Sequence, residues 1–138
     1  MIVTLDYLIL SLVIIILILT IIKFVIPYIE TTTLRNKYDN LFSRIRDGIE
    51  FLRSQPDGYE LIVTNPDKLP GTITQRVDEQ GRPYIELEPS NKFYARQLKI
   101  YYINVTNLDV NKSIRIDKQV IRFTKIGKEG NVTLIRIS

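Results

Sequence analysis

Residues 7–26 read YLILSLVIIILILTIIKFVI, and the rest of the chain is ordered around this run. Residues 7–22 hold no charge, no proline and no glycine; only Ser11 and Thr20 are polar, and Lys23 is the one charge in the full run. A helix rises about 1.5 Å per residue, so such a run covers roughly 30 Å, the thickness of a bilayer's hydrocarbon core. A core helix of a soluble domain keeps a polar stripe, and this run is apolar all round. A cleaved signal peptide would carry basic residues before the run and a small-residue site after it. No Lys or Arg precedes the run and no such site follows. The sequence predicts a retained membrane anchor over residues 1–27, built on Tyr7, Leu10, Ile14, Leu17, Ile21 and Phe24, with the lipid bilayer as its first partner.

Working outward, Pro27 predicts a bend or break, because proline pushes the residue before it away from helix. Thr31, Thr32 and Thr33 then offer N-caps for a second helix. Its apolar stripe, Leu34, Tyr38, Leu41, Ile45, Ile49 and Leu52, steps by three and four, while Arg35, Lys37, Arg44, Asp47, Glu50 and Arg53 take the other face. This gives an amphipathic stalk helix over 28–55, ended by Pro56 and Gly58. The stripe covers one face of a following domain or, as a second reading, forms a short coiled-coil seam between copies.

From Tyr59 the period changes to two. Strands are predicted over 59–64, 72–77, 83–88, 98–106, 113–116, 119–126 and 131–137, with hairpins through 78–82 (DEQGR) and 127–131 (GKEGN). The fold class is therefore an N-terminal transmembrane helix, a short amphipathic helix, and a mainly antiparallel all-β domain over 56–138, a sandwich or small barrel.

The chain has no cysteine and no histidine, which removes disulfides, thiolate nucleophiles, and the commonest general base and transition-metal ligand. Neither a phosphate-binding glycine loop nor a G-x-S-x-G elbow is present. Asp78, Glu79, Glu86 and Glu88 approach one another across the predicted hairpin; alternation with Ile85 and Leu87 puts the last two on a solvated strand face. Residues 92–102, KFYARQLKIYY, interleave aromatics with Lys92, Arg96 and Lys99, a pattern seen in single-strand nucleic-acid binders and equally in packed strands. The net charge of +4 is dispersed, which argues against nucleic acid as a partner. The sequence predicts no catalytic residues, no cofactor and no metal.

Lys23, Arg35, Lys37, Arg44 and Arg46 sit on or after the run, against Asp6 and no cation before it, which places the C-terminal domain on the cytosolic or capsid-facing side. Sequons at Asn104, Asn111 and Asn131 point the other way. The functional expectation is a non-enzymatic, single-pass structural protein. It holds a β domain at a membrane surface for other protein subunits or its own copies, such as a minor capsid protein of a virion. Val132, Leu134, Ile135 and Ile137 are the interface candidates, since no later strand follows to cover their edge. Two alternatives stand beside it: a pilin-like or archaellum-like filament subunit, and a membrane-tethered ligand- or nucleic-acid-binding domain. Such filament subunits also join an apolar helix to a β-rich head. Here, however, the spacing of Asp6 and Pro27 differs, and the run has no Ala or Gly for close helix approach, so no family is assigned.

Overall fold

The computed structural model describes residues 2–90 and 96–138, with side chains from Thr4 onward. The apolar run is helical: α1 (Ile2–Thr20), a π-turn (Ile21–Val25) and α2 (Ile26–Arg53) follow one another without a gap. The break predicted at Pro27 does not occur. Proline lacks the N–H that would reach back four residues and crowds the carbonyl there. The wider π-turn lies over those same residues, with the Ile26 N–H donating to the Ile21 carbonyl. The threonines after it are not caps. Thr31 Oγ1 donates to the Pro27 carbonyl at 2.9 Å, as Ser11 does to Tyr7 and Thr20 to Ile16, each at 2.8 Å. These hydroxyls are thus satisfied inside the helix and need no water.

Two compact units divide the chain, residues 1–37 and 38–138, and the second half of α2 lies in the unit that holds the strands. In the first unit every described side chain of α1 and the π-turn is exposed, and Leu34 is half-buried. In the second, Tyr38, Leu41, Phe42, Ile45, Ile49 and Leu52 are buried. Burial pushes the Tyr38 phenol up in pKa, and its protonated hydroxyl donates to the Pro70 carbonyl at 2.6 Å.

Among the described residues there are eight strands: β1 (Glu60–Thr64), β2 (Gly71–Val77), β3 (Pro83–Pro89), β4 (Leu98–Tyr101), β5 (Ile103–Val105), β6 (Ser113–Arg115), β7 (Val120–Glu129) and β8 (Val132–Ile137). They form two four-stranded sheets, ordered β1-β7-β8-β5 and β4-β3-β2-β6, and neither closes into a barrel. All pairings are antiparallel except β5 with β8.

The strand predicted over 98–106 is two strands in two sheets. Tyr102 sits between them at φ 60°, a left-handed conformation that turns the chain. Its N–H donates to the Pro83 carbonyl at 2.7 Å, finishing one sheet, and its carbonyl accepts from the Thr133 N–H at 3.0 Å, starting the other. The last hairpin is tighter than predicted: Glu129 pairs with Val132, and Gly130, at φ 60°, opens a two-residue turn. The upstream glycine, Gly127, follows a bulge that places Ile126 as the extra residue.

Two glycines permit close approach. A Cβ on Gly48 would lie 2.4 Å from Leu61 Cδ2, so the helix is seated directly on β1. A Cβ on Gly71 would meet the Glu88 carbonyl oxygen at 2.8 Å, and backbone cannot swing aside. Gly71→Ala is therefore expected to cost about 1–3 kcal/mol through overpacking. Ile45→Ala, which empties a fully buried site, is expected to cost about 2–5 kcal/mol. Arg44→Ala removes only a 3.2 Å bond to exposed Thr64 and should stay within about 0.5 kcal/mol. Thermal unfolding of the detergent-solubilised chain checks all three; equal shifts for Ile45→Ala and Arg44→Ala would contradict the packing described.

Candidate interaction surfaces

The side chains proposed for the anchor, Tyr7, Leu10, Ile14, Leu17, Ile21 and Phe24, are all exposed, and the helix carrying them is long and apolar enough to cross a membrane. Tyr7 and Tyr28 stand at the two ends of the run, twenty-one residues and so about 32 Å apart along a helix. Tyrosine is enriched at the two water interfaces of a bilayer, where its ring is apolar and its hydroxyl wet. Lys23 lies roughly one turn short of Tyr28, within the reach over which a lysine stem carries its ammonium to the interface.

The interface proposed at β8 rested on a free edge, and the structure removes that ground. An earlier strand, β5, covers β8 through residues 103–105 paired to 133–135. Beyond β5 the covering continues. The Thr106 N–H donates to the Ile135 carbonyl at 2.8 Å. The Asn107 amide then stands in for a strand, donating to the Ile137 carbonyl at 2.7 Å and accepting from its N–H at 3.2 Å. Ile135 and Ile137 are buried, and Val132 and Leu134 half-buried. β8 is an interior strand.

The outward edge of β5 is also closed, by a side chain. Gln75, itself buried, donates through Nε2 to the Ile103 carbonyl at 3.1 Å and accepts on Oε1 from the Val105 N–H at 2.8 Å. β4 has its Tyr101 carbonyl taken by Arg53 Nη2, and the Tyr102 carbonyl by Nη1 at 3.3 Å. The other edge of the first sheet is β1. Its neighbours Tyr59 and Asn65 bond β7-side residues Lys125 and Gln119, so odd-numbered residues face β7. Glu60, Ile62 and Thr64 direct their N–H and C=O groups outward, and all three are exposed, Ile62 at 54%. β1 contains no proline, glycine, lysine or bulge, the usual devices that blunt an edge.

Arg53 and Lys125 are functional in the structural sense, a role assigned to neither from the sequence. Arg53, assigned to the solvated helix face, instead ties the end of α2 to the β4–β5 corner, with Glu50 Oε2 at 3.2 Å from its Nε. Lys125 is buried and donates to the Arg53 carbonyl at 2.9 Å and the Gln55 carbonyl at 2.6 Å. A cation at the C-terminal carbonyls of a helix is favourable in charge as well as in hydrogen bonding. The missed signal was parity: Lys125 continues the inward alternation of Ile121 and Phe123, as Gln75 continues that of Ile73. A polar residue in an inward position announces a buried bond.

Of the acids, Glu86 is buried rather than wet. It lies mid-sheet opposite Thr74 and Lys99, and Arg76 covers it, with Nε 2.7 Å from Glu86 Oε2 and Nη2 3.6 Å from Glu88 Oε1. Lys99 lies over the Tyr84 ring and Arg82 over Tyr101, so the cations and aromatics of this face are engaged with one another. Lys92, Phe93 and Tyr94 of the aromatic–basic segment lie outside the described residues. Between α2 and β4 runs a shallow groove of about 250 Å³ lined by Asp39, Phe42, Ser43, Arg46, Arg96 and Leu98. Among the described residues no group of three acids is arranged to hold a metal ion. Asn104, Asn111 and Asn131 are exposed.

Compared with protein-family models, with curated proteins and with solved structures, the chain finds no match.

The β2–β3 turn carries a pH-dependent link. Burial works to raise the Asp78 carboxyl, but the Arg82 N–H, the Arg82 guanidinium and the Gln80 N–H together outweigh it and hold the group below its usual range. Asp78 Oδ1 accepts from Gln80 N at 3.0 Å and Arg82 N at 2.8 Å, and Oδ2 from Arg82 Nε at 2.7 Å. A carboxylate depressed in the folded state stabilises it above the unfolded pKa and loses that contribution as pH falls through the folded value. Wild type should thus be more stable than Asp78→Asn at neutral pH, with the gap closing below the ordinary carboxylate range. Melting curves from neutral to strongly acid pH read this; a gap that widens in acid would refute the assignment.

Proposed function

We propose that this protein is a single-pass, membrane-anchored structural module. It presents a small β domain at a membrane surface to other protein subunits, and its role is recognition rather than chemistry. The observation that carries the reading is the fully exposed apolar helix bracketed by Tyr7 and Tyr28 at a bilayer's spacing. An exposed apolar run of this length has no stable place in water. Support for recognition comes from the residue inventory, which has neither histidine nor cysteine, and from the open backbone of β1. The cations after the run, Lys23, Arg35, Lys37, Arg44 and Arg46, favour the cytosolic or capsid-facing side for the domain. A membrane-lined coat, such as that of a virion, is one assembly of the required kind.

The test is flotation with protease mapping. The full chain should float with liposomes and need detergent for extraction, while removal of residues 1–27 should release it to the soluble fraction. In sealed vesicles with the cytosolic side outward, protease should remove the domain. A full chain that stays soluble without lipid defeats the anchor. A protected domain, or glycan on Asn104 or Asn131, reverses the side and favours the filament-subunit reading.

A further inference from the structure

We infer that β1 is a self-pairing edge: two copies of the chain join β1 to β1 antiparallel about Ile62, uniting two four-stranded sheets into one of eight. This deepens the recognition reading above by naming a surface and its occupant, a second copy of this chain.

The open groups belong to Glu60, Ile62 and Thr64, because the odd-numbered residues face β7. An antiparallel ladder exchanges both hydrogen bonds between directly opposed residues of one parity. Centring the two-fold on Ile62 sets Ile62 against Ile62 of the second copy and Glu60 against Thr64, so all three open residues meet open residues. A centre at Leu61 or Val63 also pairs even with even, but leaves one of the three overhanging. An isologous contact of this kind needs one patch that complements itself.

The side chains agree with that register. Ile62, more than half exposed, meets its own copy, and its own-sheet neighbour on that face is Arg122. Glu60 falls beside Thr64 of the second copy, and Arg44 Nη1 already bonds Thr64 Oγ1 at 3.2 Å. The guanidinium is therefore delivered to the place where the second copy's Glu60 carboxylate arrives, twice over by symmetry. No like charges oppose one another across the seam. The remaining edges are less suited: Gln75 closes β5, Arg53 occupies β4, and β6 is three residues long.

The chain has no cysteine, so single thiols report the register without background. Opposed residues of a hydrogen-bonded pair have Cα atoms about 5.5 Å apart, inside the disulfide range. Full-length Ile62→Cys, reconstituted in liposomes and mildly oxidised, should form a disulfide dimer. Glu60→Cys alone and Thr64→Cys alone should not, since each lies about four residues from its own copy along the seam. Mixed together, those two should cross-link to each other. Ile62→Pro should remain folded, because that N–H makes no bond to β7, and should abolish cross-linking of Glu60→Cys with Thr64→Cys. No dimer from Ile62→Cys, equal cross-linking from the distant exposed site Asn104→Cys, or survival of the seam in Ile62→Pro overturns the pairing. So does capture of a different polypeptide at Ile62. Flotation of the same samples separates the two readings: variants that float without cross-linking refute the β1 seam alone, and variants that do not float refute the anchored module.

Discussion

A helix that ends inside a folded domain leaves its last carbonyls without helical donors, and the domain must supply them. Here Lys125 of β7 reaches the Arg53 and Gln55 carbonyls, while Arg53 reaches out to the carbonyls of Tyr101 and Tyr102. One helix end is thereby bonded to a strand of the first sheet and to the corner where the chain leaves the second. The buried face of α2 is fixed in rotation by these bonds, and Gly48 lets it come close to Leu61. Both cations are committed to backbone carbonyls: loss of Lys125 would remove these bonds from the Arg53 and Gln55 carbonyls, and loss of Arg53 would remove one from the Tyr101 carbonyl.

Much of the β domain was legible because apolar and polar residues alternate with a period of two along its strands. T-I-T-Q-R-V and Y-I-E-L-E mark β2 and β3 to within a residue. The missing information is of another kind. Nothing around Tyr102 resembles a breaker, since tyrosine rarely adopts positive φ; long-range bonds to Pro83 and Thr133 hold it there. Pro27 resembles a breaker and is not one, because a π-turn absorbs it. The misjudged edge of β8 has the same origin: the strand that covers it lies thirty residues earlier and runs parallel, and no local pattern encodes such a pairing.

Side chains that imitate backbone recur in this domain. Asn107 extends the cover of β8 past the end of β5, and Gln75 seals the far side of β5. An amide carries one donor group and one acceptor group, as a peptide unit does, and so can finish a ladder where no strand is present. β1 has no such amide on its open side among the described residues, and it is the longest of the four edge strands. Edge protection is thus applied unevenly: side chains cap β5 and β4, and none caps β1 among the described residues.

The place of β8 between β7 and β5 also sets an order on biosynthesis. β2 and β3 form a local hairpin and can pair as soon as both have left the ribosome. The sheet ordered β1-β7-β8-β5 cannot, because its central pair is made last while its outer strands are made first. Until then β1 and β5 wait with their apolar faces uncovered, and contacts of such long sequence separation form slowly. Chaperone demand should therefore fall on the interval between synthesis of β5 and synthesis of β8.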